Sequence, residues 1–254
     1  MTPINDESPS GVGGALPDKK SQYWIEGMVI LAGVTVVVAL LVPLDRRAGT
    51  AAYRNSCSVN LKNIALALEQ YHNKHHAYPP AYTVDADGKP LHSWRTLILP
   101  YLEQRALYDS IDFSKGWDDP ANAAAYLAPA PEIYRCPSSG SPENHTTYLA
   151  VVTPTSCLRP AAPRPKADIT DGLQSTVDVI EVAPKDSVHW MAPVDANEAM
   201  VLSLGPDSKL SHPGGVNVAF CDGRVIFVPA TLPKEKWRAL ISIAGNDDAS
   251  EKDF

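Results

Sequence analysis

Hydrophobic positions along the chain follow three different patterns. From Gly27 to Leu44, 18 consecutive residues carry no charge. Lys19-Lys20 and Tyr23-Trp24 precede the run, and Asp45-Arg46-Arg47 closes it. At about 1.5 Å per residue it measures roughly 27 Å, close to the hydrocarbon thickness of a bilayer. The aromatic pair suits a membrane interface. The pattern predicts a transmembrane helix over 21–44. It is too long for the apolar core of a cleaved signal, and Val42-Pro43-Leu44-Asp45 offers no small-x-small cleavage site.

Beyond the run the period becomes helical. Tyr53, Cys57, Leu61, Ile64, Leu68 and Tyr71 recur every three or four residues and form one stripe. Tyr78-Pro79-Pro80 stops it. The spacing predicts a single helix from about Tyr23 to about residue 76, kinked at Pro43. Shorter helical pieces are expected over Ser93–Asp109, broken near Pro100, after the turn Gly116–Asn122, and over Lys234–Ala244.

The third pattern is strand-like. Thr147–Val152 and Thr176–Val182 read as strands, separated by an irregular loop holding Pro154, Pro160, Pro163 and Pro165. Val216–Cys221 and Arg224–Val228 flank Asp222-Gly223, which predicts a hairpin over 216–228 with a two-residue type I′ turn. Such a turn puts Val216, Val218, Phe220, Val225 and Phe227 on one face, with the stripe of 53–71 as its cover. The fold class is α+β: a long N-terminal helix laid across an antiparallel sheet. The expected organisation is a disordered, Gly/Pro/Ser-rich segment over 1–20, the membrane helix over 21–44, and a head over 45–254.

Charge narrows the function. From residue 45 onward 20 Lys and Arg oppose 25 Asp and Glu, so no basic face is implied and nucleic acid is not an expected partner. Lys19 and Lys20 before the helix are balanced by Arg46, Arg47 and Arg54 after it, so charge does not set the orientation.

The four cysteines, Cys57, Cys136, Cys157 and Cys221, have no CxxC spacing, which argues against a local zinc motif. They are either buried hydrophobes or disulfides, with Cys57–Cys136 the favoured pair and Cys157–Cys221 the second. His212 lacks both a nucleophile and ligand partners at any suggestive spacing, so a structural role before Pro213-Gly214-Gly215 is expected. His72 and His76 have the i, i+4 spacing of a metal pair, but nothing nearby completes it. Asp118-Asp119 and Asp168, Thr170 and Asp171 are oxygen-rich loops that suit calcium at best, and turn formation explains them more simply. Trp94, Tyr101, Trp117 and Trp190 are either core or the lining of a ligand pocket, with core preferred. No convergent catalytic set appears, so an enzyme is not expected.

The layout of a membrane helix running onto a sheet resembles type IV pilins and the pseudopilins of type II secretion. Glu26 matches the glutamate of their apolar helix, and Pro43 a commonly kinked position. Cys57-Ser58-Val59-Asn60-Leu61-Lys62-Asn63-Ile64, Ser93-Trp94-Arg95, Leu99-Pro100-Tyr101-Leu102-Glu103-Gln104, Cys136-Pro137-Ser138, Asp168-Ile169-Thr170-Asp171-Gly172 and His212-x9-Asp222-Gly223 are similar to a prepilin-like family. That family is abundant in Planctomycetes, is known as a domain of unknown function, and once bore a solute-binding label. The resemblance implies a cytoplasmic N-terminus, a single pass through the inner membrane, and a head outside that contacts envelope proteins. Ser21 and Gln22 stand where the family has Gly and Phe at its cleavage point. A full-length, non-filamentous protein is therefore expected, with a processed pseudopilin or a tethered ligand-binding head as the alternatives.

Overall fold

The computed structural model describes residues 19–245. The expected disordered segment before Lys19 lies outside them. Two compact units divide the chain, Met1–Gly49 and Thr50–Phe254. Helix α1, Lys19–His75, contributes to both. In the first unit its backbone is helical, and Tyr23, Trp24, Met28, Val29, Ile30, Leu31, Val34 and Val36 are all exposed, from 54 to 77 %. The side chains of Glu26 and Pro43 lie outside those described. Among the described residues no helix is long and apolar enough to cross a membrane; the later part of the apolar run, from residue 37, is not described at side-chain level.

The second unit is a mixed α+β head. Along the chain come β1 Tyr82–Val84, β2 Pro90–Ser93, α2 Trp94–Leu97, α3 Arg105–Asp109, α4 Ala123–Tyr126, β3 His145–Thr146, β4 Tyr148–Ala150, β5 Val177–Glu181, β6 Val188–His189, α5 Glu198–Leu202, β7 Gly215–Phe220, β8 Val225–Pro229 and α6 Lys234–Ile241. Strands β4-β5-β7-β8, in that order, make a four-stranded antiparallel sheet, while β1-β2 and β3-β6 are separate two-stranded ladders.

Both faces of the main sheet are buried. On one face Tyr148, Ala150, Val179 and Ala219 pack with Cys57, Leu61, Ile64 and Leu68 of α1. On the other, Leu149, Ile180, Val216, Val218 and Phe220 pack with Trp237, Leu240 and Ile241 of α6. The predicted stripe is therefore the buried face of α1 from Cys57 onward. Tyr53 departs from it, standing 49 % exposed.

The hairpin differs from the expectation by one residue. Gly223 N–H donates to Phe220 O (2.8 Å), Phe220 N–H donates to Arg224 O (2.9 Å), and only Gly223 has positive φ, at 84°. The loop is a three-residue one, a turn followed by a left-handed glycine, and not type I′, which needs positive φ at both central residues. Cys221 is the cause: its N–H donates to Thr176 O (2.9 Å) and so cannot donate to Arg224 O as a two-residue turn requires, which makes buried Cys221 the first residue of the loop. The extra residue shifts the register. Val216 faces Val228 and Val218 faces Ile226, while Val225 and Phe227 share the face of Ala219 and Asn217. The face of Val216, Val218 and Phe220 thus looks toward α6, not α1.

The helix expected over Ser93–Asp109 is in three parts: α2, a 3-10 turn at Leu99–Tyr101, and α3. Pro100 makes the first break, and Glu103, with φ 58°, makes the second. Arg95 anchors this region. Its buried guanidinium donates to Trp190 O (2.8 Å), Ala192 O and Val194 O (both 2.9 Å), and pairs with Asp195 Oδ1 (2.7 Å). Asp195 Oδ1 also accepts from Trp94 Nε1 (3.0 Å) and from Ala150 N of β4 (2.9 Å). One ion pair thereby ties α2 and the segment 190–195 to the sheet.

Candidate functional site

The α1-facing side of the sheet carries a row of polar side chains across three strands. Tyr148 of β4 pairs directly with Glu181 of β5, and the β5-β7 register brings Asn217 alongside. Asn217 Nδ2 donates to Glu181 Oε2 at 2.9 Å. Above this row three further residues converge. Cys57 comes from the buried stripe of α1. Cys136 comes from the Cys-Pro-Ser loop, which α1 holds through Asn60 Nδ2 donating to Arg135 O (3.2 Å). His212 arrives from the segment before β7, fixed by a bridge to Gly215.

The four ligand-type groups of Cys57, Cys136, Glu181 and His212 are buried and lie within 4.8 Å of one another. Cys57 Sγ donates to Cys136 Sγ at 3.0 Å. Cys136 Sγ is 3.7 Å from His212 Nε2, and His212 Nε2 is 3.3 Å from Glu181 Oε1. Glu181 Oε1 has the His212 imidazole as its ion-pair partner, whereas the Tyr148 hydroxyl makes no hydrogen bond. Buried polar atoms without partners are uncommon and mark a centre that is electrostatically unfinished.

The protonation states follow from this crowding. The Cys57 hydrogen bond, then burial, push the Cys136 thiol upward, so it is held neutral. Burial, with Glu181 and Cys57 nearby, raises Tyr148 well above an ordinary phenol. Burial alone would lower His212, but hydrogen bonds to Cys136 and Glu181 overcome it and lift the imidazole to about 9. A protonated, enclosed thiol is a poor nucleophile, which needs a thiolate with access.

The other sequence candidates behave differently. Contrary to the expectation that His212 lacks ligand partners, the fold supplies three. Asp222 does not meet it: the nine residues between them span β7, so the two stand at its opposite ends. Asp222 Oδ1 accepts from Arg224 N (3.0 Å) and acts as a turn residue, as expected for Asp222-Gly223. Cys57 and Cys136 are neighbours and unbonded, and Cys157 and Cys221 are likewise buried and hydrogen-bonded to each other. His76 has left the helix with φ 60°, so it does not stack above His72 as a ligand pair. Asp119 caps a 3-10 turn through Ala121 N (2.9 Å), Asp168 pairs with Arg164, and Asp171 accepts from Gly245 N. Trp94 and Trp190 are wholly buried, the latter stacked on Tyr134, whereas Trp117 packs on His189 and Tyr101 on Tyr71. These four aromatics do not form one shared open pocket.

Sequence reasoning missed Glu181 and the joint role of Cys57, Cys136 and His212, which the sheet register and the α1 docking bring together. No local spacing signals them. Two clefts border the centre: one of about 450 Å³, lined by Asn60, Glu132, Arg135 and Cys136 among others, and a smaller one of about 160 Å³ at Thr50, Ala51, Arg54, His212 and Pro213.

Compared with known proteins, residues 46–165 match the model of a bacterial family described as a protein of unknown function (DUF1559). No curated protein matches the chain, and no solved structure does.

Proposed function

We propose that this chain is a non-enzymatic, membrane-anchored protein of the bacterial envelope, pilin-like in plan, whose head makes protein contacts outside the cytoplasm. The observation that carries the reading is the apolar surface on the first part of α1. Eight large apolar or aromatic side chains between Tyr23 and Val36 are each more than half exposed. An apolar helix exposed all round belongs in lipid or between the helices of an assembly. The uncharged sequence continues to Leu44, long enough to span. The head supports the non-enzymatic part, since its cluster of Cys57, Cys136, Glu181 and His212 is enclosed.

Fractionation with protease treatment of intact spheroplasts tests this. The head is expected to stay with the membrane through alkaline carbonate washing and to be digested from outside. A head protected from external protease, or one washed free of membranes, overturns the reading.

A further inference from the structure

We propose that Cys57, Cys136, Glu181 and His212 form a closed, structural zinc site inside the head. This goes beyond the anchoring reading and stands independently of it.

Zinc takes four ligands tetrahedrally, at about 2.3 Å from sulfur and about 2.0–2.2 Å from nitrogen or oxygen. Such a tetrahedron has edges of about 3.8 Å between sulfurs, about 3.6 Å from sulfur to nitrogen and about 3.4 Å from nitrogen to oxygen. The Cys136–His212 and His212–Glu181 separations, 3.7 and 3.3 Å, match these edges. The two sulfurs, 3.0 Å apart, would move outward by about 0.4 Å each, and the remaining pairs lie within 4.8 Å. Two thiolates, an imidazole and a carboxylate are a borderline-soft set that favours zinc over magnesium or calcium.

Electrostatics separate this from the simpler alternative, a Cys57–Cys136 disulfide. A disulfide would use two of the four groups, leave Glu181 Oε1 with His212 as its partner, and leave the Tyr148 hydroxyl buried without one. A dication satisfies the carboxylate oxygen directly. On binding, each thiol releases its proton to solvent, and Cys57, which neighbours the Tyr148 hydroxyl, becomes a thiolate able to accept its O–H. Asn217, holding Glu181 Oε2, leaves Oε1 turned toward the ion, the outer-shell support that zinc ligands ordinarily have. With four protein ligands no coordination position remains for a substrate, so the site stabilises and does not catalyse. The clefts at Cys136 and His212 give the ion a route in.

The experiment is elemental analysis of the full chain purified in detergent without chelator, together with alkylation of unfolded protein in the absence of reductant. About one zinc per chain is expected, with Cys57 and Cys136 both alkylated once the ion is chelated. His212→Gln and Glu181→Gln should lose zinc, and Asn217→Ala should weaken it about 10-fold to 100-fold. Because ligand variants can misfold, the wild-type protein is also stripped and titrated with cobalt, which should give the visible bands of a tetrahedral thiolate complex. A Cys57–Cys136 disulfide peptide overturns the proposal. So does zinc content unchanged in both ligand variants, or a reduced wild-type protein that takes up neither zinc nor cobalt.

Discussion

At the scale of single residues, the head's stability is governed by a few buried polar groups. Asp178 of β5 is 1 % exposed and its Oδ1 has no hydrogen bond. Burial raises its pKa to about 7, above the 3.8 of a free carboxyl, with Asp222 nearby adding to the rise. The folded state thus binds this proton more tightly than the unfolded chain does. Its stabilising contribution is complete below about pH 4 and is lost as pH rises through about 7. At about 1.4 kcal/mol per unit, the effect is at most about 4 kcal/mol. Asp178→Asn is expected to raise Tm at pH 8 and flatten its dependence between pH 5 and 8, measured by thermal unfolding of the chain in detergent. Burial also pushes Asp195 up, but three donors to its Oδ1, Arg95, Trp94 and the Ala150 N–H, work against that rise. Asp195→Ala strands the Arg95 guanidinium and should cost about 3–5 kcal/mol, read from urea unfolding; an effect under 1 kcal/mol would show that the pair is not the tie between α2 and the sheet.

At the scale of elements, the hairpin loop separates two kinds of glycine. Gly223 has φ 84° and open space where a Cβ would go, so Gly223→Ala pays only for backbone strain, about 1–2 kcal/mol. A Cβ on Gly215 would collide with the Val228 carbonyl of the paired strand and with the Phe227 ring. Gly215→Ala should therefore destabilise more than Gly223→Ala, because the neighbouring strand has to shift; equal losses by denaturant titration would contradict the register. The same elements show what a sequence can and cannot disclose. The α1 stripe was legible because Cys57, Leu61, Ile64 and Leu68 repeat at helical spacing, and the hairpin because alternating apolar residues flank Asp222-Gly223. Its turn type was not legible, since it depends on Cys221 bonding to Thr176, a contact between distant segments. The ladders β1-β2 and β3-β6 escaped notice because strands of two to four residues carry no periodicity. The buried centre was half legible: its cysteines and His212 stood out by type, but Glu181 read only as one residue of a strand.

At the scale of the whole molecule, the pilin-like plan proposed above bears on how the chain is processed. On that proposal, Ser21 stands where prepilin-like chains have the glycine before their cleavage point. Without cleavage there, no free amine forms beside Glu26 to pair with its carboxylate in a filament, and an unpaired charge in apolar surroundings is costly. The expected outcome is an intact mass that includes the residues before Gln22, and no filaments by electron microscopy. A chain starting at Gln22 and N-methylated would instead make it a processed pseudopilin.

The residues of the buried centre come from four separate stretches, in the order Cys57, Cys136, Glu181, His212. If the head is exported as proposed, a chain threaded outward from its N-terminus presents both thiols well before the carboxylate and the imidazole emerge. During that interval Cys57 and Cys136 are uncovered, and they are open to oxidants or to thiols of other chains. The last strands, β7 and β8, bring Asn217, and the segment just before β7 brings His212. On that proposal, whether Cys57 and Cys136 meet an oxidant or the completed centre first depends on how soon the C-terminal third arrives.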